Sequence, residues 1–456
     1  MACADETAEA QDFEKNRRAL LIHWPWWLHP VWALLLMVAG TAAVAIMLPA
    51  QYYAVWGTVK FIDAHDSIKM LLGISLVLVG ISLANFGIPR VKVSHIEVGP
   101  AREEFLRKSY RFLFTLTVCG YIFWILIAIS EGVNLASLAS VIQRDEGAIG
   151  ELKENSRPVG GLTTLTQFGP VAVAVGFIRR KIGTGGRSYW LLIALALLRT
   201  VFYAERLALL EVLFPIILIS TLTMRKRTVW RPVAQLAPLL AGPLVWVIFA
   251  LSEYSRSWVY YQSTVSMPFA EWVTSRLLGY YTTSYNNSAL FADAWQGTYG
   301  APYVSIQALW NAPGAGLVLG APTTMGVHPE SWWSSVLATQ SNPEFTNTGS
   351  FLVSFAELGW FGAVIFWTLI GYGVGLLYVS VARGNLVGVI AYCTLFIGLL
   401  ELPRFMYWTQ GRAVPLLLAL AIMAWVYARL KSPRINNTTE PKERESPWSG
   451  LAQRQG

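Results

Sequence analysis

The chain is short of charge and short of cysteine, and each shortage narrows what it can be. Charged residues make up 14% of the sequence and hydrophobic ones 54%, a balance that excludes an ordinary soluble globular protein. Cys3, Cys119 and Cys393 are too few and too scattered for a disulfide framework or a thiolate metal knuckle. Cys119 and Cys393 lie within apolar runs and read as small core residues. The sequence has no HExxH, no GxSxG, no glycine-rich phosphate loop and no carboxylate pair at hydrolase spacing. It has no repeat of fixed period and no inverted pair of broken spans that would point to a transporter. The acidic start, MACADETAEAQDFEKNRR, lacks the basic-then-apolar order of a signal peptide, so the N-terminus is expected to stay uncleaved.

What the chain has in abundance is long apolar runs. Ten are read as spans, at about 31–51, 68–88, 112–130, 160–178, 188–203, 207–224, 233–252, 351–381, 386–402 and 413–428. The net charge of +8 could suit nucleic acid. However, Lys and Arg gather in alternate inter-span segments, as membrane topology requires, and no nucleic-acid partner is expected. With the N-terminus in the cytoplasm, Lys15, Arg17, Arg18, Arg90, Lys92, Arg179, Lys181, Arg225, Lys226, Arg383 and Arg429 all fall inside. Both termini are then cytoplasmic. Trp24, Trp26, Trp27, Trp190 and Trp230 suit interfacial anchoring.

The expectation is an all-α polytopic membrane protein with about ten transmembrane helices. Residues 1–30 form a cytoplasmic segment, 31–429 one transmembrane domain, and 430–456 a disordered tail. One large outer loop at about 253–349 should pack on the bundle, because it is aromatic-rich and poor in charge, unlike a disordered tether. Of the other outer loops, 52–67 contains Asp63-Ala64-His65-Asp66, read as solvated polar residues, and no metal is expected. Residues 131–157 show apolar spacing that suits an amphipathic surface helix.

The cations left on the outer side beyond Arg157 are Arg199, Arg206, Arg256, Arg276, Arg404 and Arg412, with no lysine among them. A surface charge can be either residue, but only the guanidinium fork grips phosphate or carboxylate oxygens bidentately. Arg199 sits roughly 8–10 Å below the outer turn, where a cation costs a few kcal/mol unless paired or hydrated. Its candidate partners are Glu205 and Glu211. A purely structural pair is the competing reading. Arg256 and Arg276 are accompanied by Trp258, Tyr260, Tyr261, Trp272, Tyr280, Tyr281 and Tyr285. Aromatic faces beside arginine and amide groups, Asn286 among them, suit sugar binding; an interfacial aromatic belt is the alternative. His328, Glu330 and Glu344 are the titratable groups left to act as general base.

These residues carry a resemblance. The stretches NPEFTNTGSFLVSFAELGWFG (342–362), RLLGYYTTSYNN (276–287) and ERLALLE (205–211) resemble the O-antigen polymerases, the Wzy-like repeat-unit polymerases. So does the layout of about ten spans with one large outer loop in the C-terminal third. Glu205 departs from the pattern, which expects a small residue before the hairpin arginine. The resemblance implies a GT-C-like fold and a glycosyltransferase that polymerises polyprenyl-pyrophosphate-linked oligosaccharides without metal, nucleotide sugar or other cofactor. The acceptor hydroxyl would attack the donor anomeric carbon and polyprenyl pyrophosphate would leave. Arg199 and Arg206 are assigned to the pyrophosphate. Arg256 and Arg276 go to donor phosphate or glycan with Tyr280, Tyr281 and Asn286, and Arg404 and Arg412 support them. Membrane lipid and a chain-length regulator or flippase are the implied partners. An O-antigen ligase, or a lipid-linked-sugar flippase or other transporter, are the rival readings. A structural scaffold would leave the arginines unexplained.

Overall fold

The computed structural model describes residues 19–430, except 87–94, 135, 138, 141–147, 157–158, 160, 203–204, 225–227, 255–257, 259–260, 264–265, 296–301, 313, 321–322 and 325. It is 76% helical. The described strands, β1 (Ala19–Leu21) and β2 (His95–Glu97), form one short antiparallel pair. Among the described residues four helices are long and apolar enough to cross a membrane: α1 (Pro30–Met47), α2 (Ala64–Asn85), α3 (Pro100–Ser130) and α10 (Ser350–Ala382). The shorter helices are α4 (Gly169–Lys181), α5 (Tyr189–Phe202), α6 (Arg206–Leu222), α7 (Ala237–Glu253), α11 (Leu386–Glu401) and α12 (Ala413–Ala428). Two further helices, α8 (Phe269–Ala294) and α9 (Pro329–Gln340), lie in the polar segment between α7 and α10. The chain is an all-α membrane protein.

Local chemistry sets several helix starts. Asp63 accepts from the Asp66 N–H at 2.7 Å and Asp66 reaches back to the Asp63 N–H, a capping box that begins α2. Asn385 accepts from Val387 and Gly388 to begin α11. The apolar run at 160–178 is helical only in part: a 3-10 turn at Thr163–Phe168 precedes α4. From Val171 to Val175 α4 has no exposed surface, because α3, α6, α11 and α12 surround it.

The tightest helix pair is α2 with α10. A Cβ on Gly80 would lie 2.2 Å from the Thr368 carbonyl oxygen, and one on Gly371 2.2 Å from that of Val77. The two backbones therefore touch, which is how helices pack where lipid offers no hydrophobic contrast.

Contacts sort the described loops into two ends. At one end His23 N–H donates to Leu222 O, Trp26 and Trp27 donate to Gln235 O and Ala234 O, and β1 pairs with β2. At the other, Asn342 donates to Trp56 O at 2.9 Å and the Gly349 N–H to Ser284 O at 2.8 Å, while Arg412 meets Glu205. We call the second the cap end.

The segment expected to lie on the bundle goes into it. α8 packs between α1 and α10, and its residues from Thr282 to Phe291 are buried. That stretch is polar, so every group needs a partner there. Thr282, Thr283 and Ser284 donate back to the carbonyls four residues earlier. Tyr285 donates to Val38 O at 3.0 Å, at the π-helical turn Leu34–Ala39 inside α1. Asn287 donates to Phe345 O and Asn347 O and accepts from Ser341. The surface helix expected at 131–157 is described as Ala148–Asn155, with 141–147 outside the described residues.

Candidate functional site

The break between α5 and α6 brings four charges together at the cap end. Arg199, one turn from the end of α5, lies 2.7 Å from Glu205 Oε2 and donates to Thr166 Oγ1 at 2.8 Å. Arg412, at the start of α12, lies 2.6 Å from Glu205 Oε1. Glu205 therefore bridges two guanidinium groups, one to each oxygen. Glu211, one turn into α6, holds Arg412 from the opposite side: Nε is 3.0 Å from Oε1 and Nη2 donates to Oε2 at 3.1 Å. Tyr407 donates to Glu211 Oε1 at 2.7 Å. Arg404 adjoins this group and pairs with Glu401 at 2.8 Å, a carboxylate that also feels Arg412.

Among the described side chains, three arginines thus face three glutamates. Burial works to raise the Glu205 carboxyl, but Arg412 and Arg199 outweigh it and hold Glu205 below the usual glutamate range. The Nε–H groups of Arg199, Arg404 and Arg412 are buried without an aligned acceptor, and Glu205 Oε2 receives no aligned hydrogen bond. Charge, rather than directional bonding, holds the bridge.

A second cluster surrounds Arg276 on α8. Its Nε donates to Glu253 at 3.1 Å and its Nη1 to Glu344 at 3.0 Å. Tyr261 donates to the other Glu344 oxygen. The guanidinium lies 5.2 Å from the Trp272 ring centre and 5.7 Å from those of Tyr261 and Phe345. Tyr280 packs on Phe249 and Phe345 and lies 5.9 Å from the Arg404 guanidinium, which links the two clusters.

A third group lies on the cap. His328 begins α9 and accepts weakly from the Glu330 N–H at 3.4 Å, with its ring against Tyr303. Glu330 accepts from Tyr303 at 2.7 Å and from Gln307 at 3.1 Å. Burial and the Glu330 carboxylate push the Tyr303 hydroxyl up to about 12, so it stays a donor. Beneath them Glu357 accepts from the Val304 and Ser305 N–H groups at 2.8 and 2.7 Å. Two residues on, Gly359 at φ 68° breaks α10, a conformation that favours glycine.

The sequence-predicted residues therefore separate. Arg199, Arg404 and Arg412 come together; Arg276 and Tyr280 form the neighbouring cluster with Glu344; His328 and Glu330 share a third corner. Tyr281 lies half-buried on α8, close to Glu401 and Arg404. Arg256 and the side chain of Arg206 lie outside the described residues. Asn286 is wholly buried, and its amide accepts from the Phe61 N–H and donates to Val59 O, both at 2.7 Å. It staples the loop before α2 to α8. Tyr285 is equally enclosed.

Three residues were passed over. Glu401 ends an apolar run, Glu357 lies within one, and Glu253 closes α7. An ionisable group in an apolar run is itself the signal, and it was present in all three. No family model, curated protein or solved structure matches the chain.

Proposed function

We propose that the protein is a membrane glycosyltransferase that polymerises polyprenyl-pyrophosphate-linked oligosaccharide repeat units at the outer face of the bacterial inner membrane, in a GT-C-like fold of about ten spans. The observation that carries this reading is the arginine junction at the cap end, where Arg199 and Arg412 converge on one carboxylate and the Arg199 Nε–H has no aligned acceptor. A pyrophosphate leaving group needs fixed positive charge that costs no reorganisation when the bond breaks. The aromatic walls around Arg276 support a neighbouring glycan site.

In the proposed reaction the acceptor hydroxyl oxygen bonds to the donor anomeric carbon as the bond to the pyrophosphate oxygen breaks. The electron pair leaves with the pyrophosphate and is met by the arginines. The hydroxyl proton passes to a carboxylate or imidazole, for which Glu330, Glu344 and His328 are the candidates.

Deleting the protein in its host and resolving surface and lipid-linked glycan by gel tests this directly. Long polymer should collapse to single repeat units. Long polymer left on its lipid carrier would instead mark a ligase, and unchanged glycan would sink both readings in favour of a transporter. Within the protein, Arg199→Lys keeps the charge but loses the fork. Activity should fall on the order of a hundredfold while expression and insertion persist; full activity would remove the pyrophosphate role.

A further inference from the structure

Glu205 is the residue that the sequence pattern did not expect, and its placement gives it a specific task. A carboxylate with one oxygen on each of two guanidinium groups, at 2.7 and 2.6 Å, occupies the position that two non-bridging phosphate oxygens would take. We propose that Glu205 is a self-ligand: it fills a preformed anion seat made by Arg199 and Arg412, and a phosphate-type anion binds by displacing it. The inference rests on the donor-binding reading above and specifies how the donor gains its site.

Three features favour displacement over a permanent structural bridge. First, each arginine has a second anchor that does not depend on Glu205. Thr166 accepts from Arg199 at 2.8 Å, and Glu211 takes Arg412 through both oxygens at 3.0 and 3.1 Å. The seat therefore keeps its shape when Glu205 leaves. Second, Glu205 is the accessible member of the carboxylate pair, its side chain 17% exposed against 3% for Glu211. It also stands outside the helices, at φ −99° and ψ 85°, with no hydrogen bond tying its side chain to the start of α6. Third, Glu205 Oε2 and the Arg199 Nε–H lack aligned partners. A carboxylate presents two acceptor oxygens to the seat, whereas a phosphate group presents three and can meet donors that Glu205 leaves unmet.

Electrostatics sets the direction of the exchange. With Glu205 in place the described arginines and glutamates of the junction balance, which suits a largely apolar bundle. When Glu205 turns out, the seat carries one positive charge more than it carries negative, and a pyrophosphate restores and exceeds the balance. The resting balance lowers affinity for small anions and leaves the seat to ligands that bring other contacts, such as a prenyl chain.

The test is a binding measurement on the detergent-solubilised full-length protein and its Glu205→Gln variant. Calorimetric titration uses two probes, inorganic pyrophosphate and a short prenyl pyrophosphate. Removing the internal competitor should tighten both on the order of tenfold, since apparent affinity is reduced by the fraction of protein whose seat is already occupied. Glu205→Asp, whose shorter side chain cannot bridge both arginines, should fall between the two and serves if the Gln variant does not fold. Unchanged or weakened binding in both variants overturns the self-ligand. A variant that gains inorganic pyrophosphate but not the prenyl form keeps the self-ligand and removes the lipid-linked donor. Prenyl pyrophosphate bound equally by parent and variants keeps the donor and removes the self-ligand.

Discussion

Arg412 and Arg276 each sit between two glutamates, yet the two settings are opposite in kind. Arg412 lies at the junction of α5, α6 and α12 with Glu205 on one side and the buried Glu211 on the other. Arg276 lies against rings, and one of its partners, Glu344, has a 40% exposed side chain. In the first case the pairing is obligatory, because a buried charge without its partner is far more costly than the pair is favourable. In the second, water can replace the outer partner and the rings carry much of the interaction. The same three charges therefore make a fixed seat in one place and an adjustable surface in the other.

The sharpest way to break this contrast is to remove both arginines in turn. Arg412→Gln should cost about 3–5 kcal/mol, because it strands Glu205 and Glu211 together, read as a lower melting temperature of the protein in detergent. Arg276→Gln should cost less, about 2–3 kcal/mol, from the lost cation–ring contact and from the buried Glu253 that it strands, and Glu344→Gln less than about 1 kcal/mol. Equal losses for the two arginines would erase the distinction. Salt should sharpen it further, since only the half-exposed cluster is open to screening. The smallest effect concerns pH. Glu205 is held below its ordinary range, so its contribution is complete above the unfolded glutamate value of about 4.3 and is lost as pH falls through the lower folded value. Melting should be insensitive to this group from neutral pH down to about pH 5 and fall below about pH 4. The Glu205→Gln protein, weaker at the outset, should lack that part of the acid limb.

The apolar runs made the membrane bundle legible, because length and hydropathy are local properties that no tertiary contact can hide. The ten runs coincide largely with helical sequence, although among the described residues only four helices meet the length and apolarity of a spanning helix. The polar segment was legible as folded, from its aromatics and scarcity of charge, but not in its placement. Nothing local distinguishes hydroxyls that bond back to their own helix, as Thr282 and Thr283 do, from hydroxyls turned to a sugar. At the arginine junction the participants were legible, since Glu205 and Glu211 are the carboxylates close to Arg199 in the chain, and both belong to the junction. The sequence could not apportion them, because Arg412 comes from a helix two hundred residues away and takes Glu211 for itself.

The burial of α8 has a consequence for how the protein is made. The helix is too polar to partition into lipid on its own account as it leaves the ribosome. Its seat is completed by α10, which is synthesised later, and the Gly349 N–H that clasps Ser284 arrives with it. During translation α8 must therefore wait in water until α10 inserts, while the apolar helices already made enclose a gap where it belongs. A chain stalled before α10 is left with an unfilled interior and an unplaced helix, the form that membrane quality control is equipped to remove.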